Sequence, residues 1–391
     1  MPMDQESRAG TYDFDRIIER RGTDSIKWGL YEDDVLPMWV ADMDFASPPA
    51  VIEALKARVD HGVFGYASEP AGLRELFVER LQSLYGWHVS QDDLMFFPNV
   101  VVGFNAVCRA LGRPGNGLLI QPPIYFPILR VPENATLKSR FCELTWNGSG
   151  TYEIDFEAFE REAARSRVFL FCNPHNPTGR VYTRDEVERM AEICLRHDVI
   201  VCSDEIHADF VFDGRTHTPM GSTSAEMAAN SVTLFAPNKT FNLAGIPCGI
   251  AVVTNEAHRE AIQAKSRDLL PHISALSFAA AVAAYQDGQP WLDALIGYLQ
   301  GNRDFVTQFV KSEMPGLSMP PVEGTYLAWL DCREAVGEQP HRFFLEHGRV
   351  ALNDGAAFGL GGEGFVRLNF ACPRSVLEEG LTRMKQALDS H

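Results

Sequence analysis

Positive charge is scarce: 35 lysines and arginines stand against 52 aspartates and glutamates, for a net charge of −17. No Lys/Arg-rich run offsets this, so a nucleic-acid partner is not expected. Long apolar runs are missing too. The most apolar stretch, 273–285, is too short to span a bilayer and is interrupted by serines, so it reads as a buried helix and no membrane partner is expected. Residues 1–10 are polar and acidic, not basic-then-apolar, and predict no secretory signal. None of the eight cysteines forms a C-x-x-C pair, and most lie within apolar runs. They read as buried, reduced thiols of a cytoplasmic protein, with a thiol nucleophile as the alternative. No metal-ligand set is expected.

What is present is an ordinary globular composition, 46% hydrophobic and 22% charged over 391 residues, enough for two or so domains. Short apolar runs at 94–97, 117–121, 168–172, 199–203, 232–236 and 250–254 read as strands, with helical spacing at 155–165 and 183–197. Thr183 with Glu186 fits a capping box. Strands apolar on both faces and separated by helices predict a mainly parallel sheet covered on two sides. The last hundred residues differ: a long helix at 291–312, short runs at 326–330, 343–347 and 365–370, and a final helix from 375. They predict a smaller α+β unit, to which the first forty-odd residues belong.

In a parallel sheet, ligands bind beyond the carboxyl ends of the strands. The run Ala236-Pro237-Asn238-Lys239-Thr240-Phe241-Asn242 follows one strand, and Ser203-Asp204-Glu205-Ile206-His207 ends another. Alone, such a lysine is a solvated surface charge and Asp-Glu a common loop pair. Together they suit pyridoxal phosphate, which needs an amine for its aldehyde carbon and an acid to keep its ring nitrogen protonated. After 94–97, Pro98-Asn99-Val100-Val101 opens a helix whose first amides suit a phosphate dianion. After 117–121 comes Tyr125, able to stack on a flat ring or to serve as a rim residue. After 168–172, Asn173-Pro174-His175-Asn176-Pro177-Thr178-Gly179 is a rigid turn that aims side chains, from which Asn176 could donate to a ring oxygen, though as a plain turn it would be unremarkable.

The Asn173–Gly179 turn, then Ser203-Asp204-Glu205-Ile206-His207, then Asn238-Lys239-Thr240-Phe241-Asn242, in that chain order, resemble the fold type I pyridoxal-phosphate enzymes, the aspartate aminotransferase superfamily. Leu36-Pro37-Met38-Trp39-Val40-Ala41-Asp42-Met43-Asp44-Phe45 and Gly364-Phe365-Val366-Arg367-Leu368-Asn369-Phe370 resemble its MalY/PatB branch, the cystathionine β-lyase-like carbon–sulfur lyases. The resemblance implies an α/β fold: a large domain with a mainly parallel seven-stranded sheet at 47–290, plus a smaller α+β domain from 1–46 and 291–391. It implies that Lys239 bonds the cofactor and shuttles the proton at the substrate α-carbon. Asp204 would pair with the ring nitrogen, Asn176 with the ring oxygen, and Tyr125 would stack on the ring. Val100, Val101 and Thr240 would serve the phosphate, and Tyr66 would reach the phosphate of a neighbouring subunit in a homodimer. His207 would sit hydrogen-bonded beneath the cofactor, and Arg367 and Ala41 would meet the amino-acid substrate.

Several positions depart from the wider pattern. Ala236 and Pro247 replace a phosphate-binding serine and arginine, so phosphate binding must lean on amides, Tyr66 and Thr240. Asn99 replaces a glycine and Asn238 a serine, which puts fine specificity in question. From the residues alone, β-elimination and transamination share their first half. No second arginine in a motif marks a dicarboxylate substrate. The resemblance favours β-elimination of an S-substituted L-cysteine, cystathionine leading. An aminotransferase for aromatic or neutral amino acids, and a regulatory or binding protein on the same fold, remain the alternatives.

Overall fold

The computed structural model describes residues 12–146 and 148–391; the polar segment 1–10 lies outside them. Its centre is a seven-stranded sheet, in spatial order Leu94–Phe97, Gly249–Val252, Ser231–Phe235, Ile200–Asp204, Ser166–Cys172, Gly117–Ile120 and Lys138–Phe141. Only Gly249–Val252 runs against the rest, pairing antiparallel on both sides. The central strands are buried along their length, as expected for strands with helices on both faces. The edge strand Lys138–Phe141 is absent from the strands predicted above. Its sequence is largely polar and its face mostly exposed, so it carries no apolar signal.

The helices match their sequence signals. Arg184–Arg196 opens on Thr183, whose hydroxyl takes the Glu186 amide while the Glu186 carboxylate takes that of Thr183. The stretch 273–285 falls largely on the helix Ala275–Asp287, and the long helix runs Gln289–Glu313. No helix among the described residues is long and apolar enough to cross a membrane. All eight cysteines are buried and unpaired. Burial pushes the Cys142 and Cys248 thiols up to about 12, away from nucleophilic duty.

A second, antiparallel sheet holds Leu327–Asp331, Phe365–Asn369 and Asn353–Asp354, with Arg367 on its middle strand opposite Trp329 and Asn353. The N-terminal segment docks here: Leu36–Pro37 pairs in parallel with Val350–Ala351. It is pinned further by a buried ion pair, Lys27 to Asp44 at 2.6 Å, and by Arg20 bridging Asp42 and Asp44. Burial works to raise the Asp44 carboxyl; Lys27, Trp28 and Arg20 outweigh it and hold the group below its ordinary range.

Asn242, just beyond Lys239, locks the same segment onto the large sheet. Its side-chain oxygen takes the Met43 amide at 3.0 Å, and its amide donates to the carbonyls of Met43 at 3.1 Å and Phe45 at 2.8 Å. Its φ of 55° is one that asparagine tolerates better than most residues. Asn242→Ala loses three hydrogen bonds and keeps the strained backbone, so we expect a loss of about 2–4 kcal/mol, read as a lower urea midpoint.

Candidate active site

The parallel register sets the site. Cys172 lies beside Asp204, and Asp204 beside Leu234, so the loops after three neighbouring strands emerge together. There they meet the N-terminal segment and the second sheet around a cavity of about 290 Å³. Of the residues singled out in the sequence, Lys239, Asp204, Asn176, Tyr125, Val100, Val101, His207, Arg367 and Ala41 all line it. Thr240 and Tyr66 do not. The Thr240 hydroxyl donates to Asp209 at 2.6 Å, and Asp209 also takes Arg80. Tyr66 is 94% exposed, its ring edge-on to His272.

At one end of the cavity the helix Val100–Leu111 presents its N-terminus. The Asn99 side chain takes the Val102 amide at 2.9 Å, and its carbonyl takes the Gly103 amide. Among the described residues, that leaves the Val100 and Val101 amides as the free donors of the first turn. The asparagine at 99 thus has a local reason, as a helix cap. Gly249 allows the crossing beneath it: a Cβ there would stand 2.9 Å from the Asn99 backbone. Asn238 also has a local partner, its side-chain oxygen taking the Cys248 amide.

Asp204 closes its strand with one oxygen accepting the Ile206 amide at 3.2 Å. Burial, reinforced by Glu205, pushes its carboxyl up to about 7. Burial and Arg367 draw the Lys239 amine down to about 8. Both shifts mark charges held in the interior without adequate counter-charge, a frequent property of functional groups. Lys239 donates to the Ala41 carbonyl. His207 is buried against Tyr326, with Nδ1 unpartnered among the described residues. Burial, Lys239 and Arg367 hold it neutral, far below its ordinary range. Cys172 lines the wall as a protonated thiol, raised by burial and Asp204.

Arg367 is the most informative group. It is 2% exposed and makes no salt bridge among the described residues. Its guanidinium donates to Asn176 Oδ1 at 2.9 Å, Asn353 Oδ1 at 2.6 Å and the Trp39 carbonyl at 3.0 Å, and sits 5.0 Å above the Phe358 ring. Its Nε is buried without a partner among the described residues. Burial draws even this group down to about 10. The bond to Asn176 also turns that side chain so that its NH₂ is the end left to donate. Sequence reasoning missed Asn353 and Tyr326. Neither sits in a motif; sheet pairing brings Asn353 to Arg367, and the N-terminal segment brings Ala41 to Tyr326.

The signature of the aminotransferase class I and II family matches residues 33–384. The chain belongs to that family. Cystathionine beta-lyase PatB of Bacillus subtilis (strain 168) is 39% identical, the alignment covering 96% of this chain and 99% of PatB. Protein MalY of Escherichia coli (strain K12) is 33% identical over 96% of this chain and 99% of its own length. Cystalysin from Treponema denticola, whose crystal structure contains a pyridoxal 5'-phosphate cofactor, superposes with a TM-score of 0.92 at 32% identity, covering 97% of this chain and 99% of cystalysin. Within the family, the chain falls in the PatB and MalY branch, and its fold is fold type I. Among the described residues, no group of three or more His, Cys, Asp or Glu side chains is placed to hold a metal ion.

Proposed function

We propose that the chain is a pyridoxal-phosphate-dependent carbon–sulfur β-lyase that releases pyruvate, ammonia and a thiol from an S-substituted L-cysteine, cystathionine leading. Among the described residues the buried Arg367 has an unpartnered Nε and no carboxylate beside it, which carries the amino-acid part of this reading; β-elimination over transamination is supported by the likeness to the PatB and MalY branch. An uncompensated buried cation is costly, and an amino-acid α-carboxylate is the anion its planar fork suits.

The residues present fit pyridoxal phosphate. Two free helix-start amides suit its phosphate, an uncompensated buried carboxylate its ring nitrogen, and a buried amine of lowered pKa its aldehyde carbon. When bound, the cofactor supplies an electron-accepting ring joined to the substrate nitrogen. Asp204 would hold the proton on the ring nitrogen, and a cationic partner there would draw its own carboxyl back down. Asn176 would donate to the ring oxygen with the orientation Arg367 gives it, and Tyr125 would flank the ring. Arg367 would orient the substrate by its carboxylate. Lys239, unprotonated in appreciable fraction near neutral pH, would take the Cα proton as the Cβ–S bond breaks and the thiolate leaves. Hydrolysis of the remainder gives pyruvate and ammonia.

Replacing Asp204 with asparagine keeps size and removes charge. We expect turnover to fall about a hundredfold or more, the scale of losing one electrostatic stabiliser, with a changed absorption spectrum of the bound cofactor. The reading also takes the protein as a cytoplasmic homodimer. Tyr66 stands out in solvent with Val63 at 61% and Phe64 at 59% exposure, an apolar patch suited to a second copy whose phosphate site Tyr66 would complete. Pyruvate and thiol release from L-cystathionine, with no keto acid added, tests the activity.

A further inference from the structure

The Ala41 carbonyl receives two donors from opposite parts of the fold: the Lys239 amine, and the Tyr326 hydroxyl at 2.8 Å. The carbonyl has little freedom to move. Asn369 donates to both neighbours in the chain, to Val40 O at 2.6 Å and Asp42 O at 2.7 Å. Tyr326 is fully buried, its ring edge-on to His207 at 5.6 Å and to Phe210 at 5.1 Å, so its hydroxyl is held on the same oxygen. One carbonyl oxygen can serve both donors. The positive end of the O–H dipole then lies at the oxygen that would otherwise favour an ammonium, in a pocket where such dipoles are poorly screened.

We propose that Tyr326 is a positioning residue that, through the Ala41 carbonyl, sets how readily the free Lys239 amine gives up its proton. This rests on Lys239 being the acting amine. The other groups facing Lys239 are Arg367, which works in the same sense, Asp42 and Asp204, which oppose it, and the neutral His207. Tyr326→Phe removes the hydroxyl donor and none of these charges. The phenol itself stays protonated, raised by burial, so its donor role does not switch off in the working range.

Competitive acylation of the cofactor-free chain across the neutral-to-alkaline range, with mass spectrometry of the Lys239 peptide, reads the amine's midpoint without any turnover. Tyr326→Phe is expected to raise that midpoint by roughly half to one pH unit, a roughly three- to tenfold gain in proton affinity. Site-specific 3-fluorotyrosine at 326, a more acidic donor of nearly the same shape, is expected to lower it. In the loaded enzyme, the acid limb of turnover should move the same way in each case, with KM unchanged. The fluorinated chain decides between the outcomes even if Tyr326→Phe fails to fold. Midpoints that stay in place, or move in the same direction for both changes, overturn the proposal. A failure here leaves Lys239 itself untouched, since Lys239→Ala tests that role separately.

Discussion

Lys239→Ala abolishes turnover, with a loss of at least about a thousandfold expected from removing both the group that bonds the cofactor and the base at Cα. The fold should survive, because among the described residues the amine has a single hydrogen bond, to the Ala41 carbonyl. The substitution has a second signature in stability. Burial lowers the Lys239 pKa from the ordinary 10.5 to about 8, so between those values the unfolded chain binds more protons at this site than the folded one. Stability of the cofactor-free chain therefore rises with pH through that window, and the penalty for burying the amine is full below it and gone above it. The alanine variant lacks this contribution. Urea titrations of both chains at several pH values, beside steady-state rates, check the two effects.

Arg367→Lys is the second large effect. It keeps the charge, yet a lysine cannot donate in a planar fork while also reaching Asn176, Asn353 and the Trp39 carbonyl. Losing a hydrogen-bonded partner of a buried charge costs about 2–5 kcal/mol, so kcat/KM should fall by roughly thirtyfold to a few thousandfold. The loss should be specific to substrates bearing an α-carboxylate. Binding of a simple amine that lacks the carboxylate should change little. Comparing the two ligands separates lost recognition of the carboxylate from general damage to the site.

Most of the sheet was legible because its strands are buried on both faces and end in turn residues. The 232–236 run, for instance, appears as Ser231–Phe235 with every residue buried. Boundaries slipped by a residue or two, where the chain leaves the ladder. Lys138–Phe141 was invisible because an edge strand with polar side chains makes no pattern. The site residues that follow strands were readable for the same topological reason: parallel strands deliver their loops to one edge. Residues contributed by register alone were not. Asn353 and Tyr326 meet the site through pairings between segments far apart in sequence, and no local spacing records that. The departures Asn99 and Asn238 became intelligible only in three dimensions, as a helix cap and a loop tie. Gly179 is similar: its φ is +71°, a Cβ there would stand 3.2 Å from Val322, and its carbonyl takes the Glu323 and Gly324 amides, so the Asn176 turn lies against the segment leading into Leu327–Asp331, a closeness the motif only hinted at.

The most direct test of carbon–sulfur lyase activity is pyruvate release from L-cystathionine by the cofactor-loaded protein, with no keto acid present. The expected result is pyruvate and free thiol appearing together, in equal amounts, through many turnovers. Conversion of the cofactor to its amine form in a single turnover, with no pyruvate and with recovery only when a keto acid is added, would contradict it and identify an aminotransferase instead.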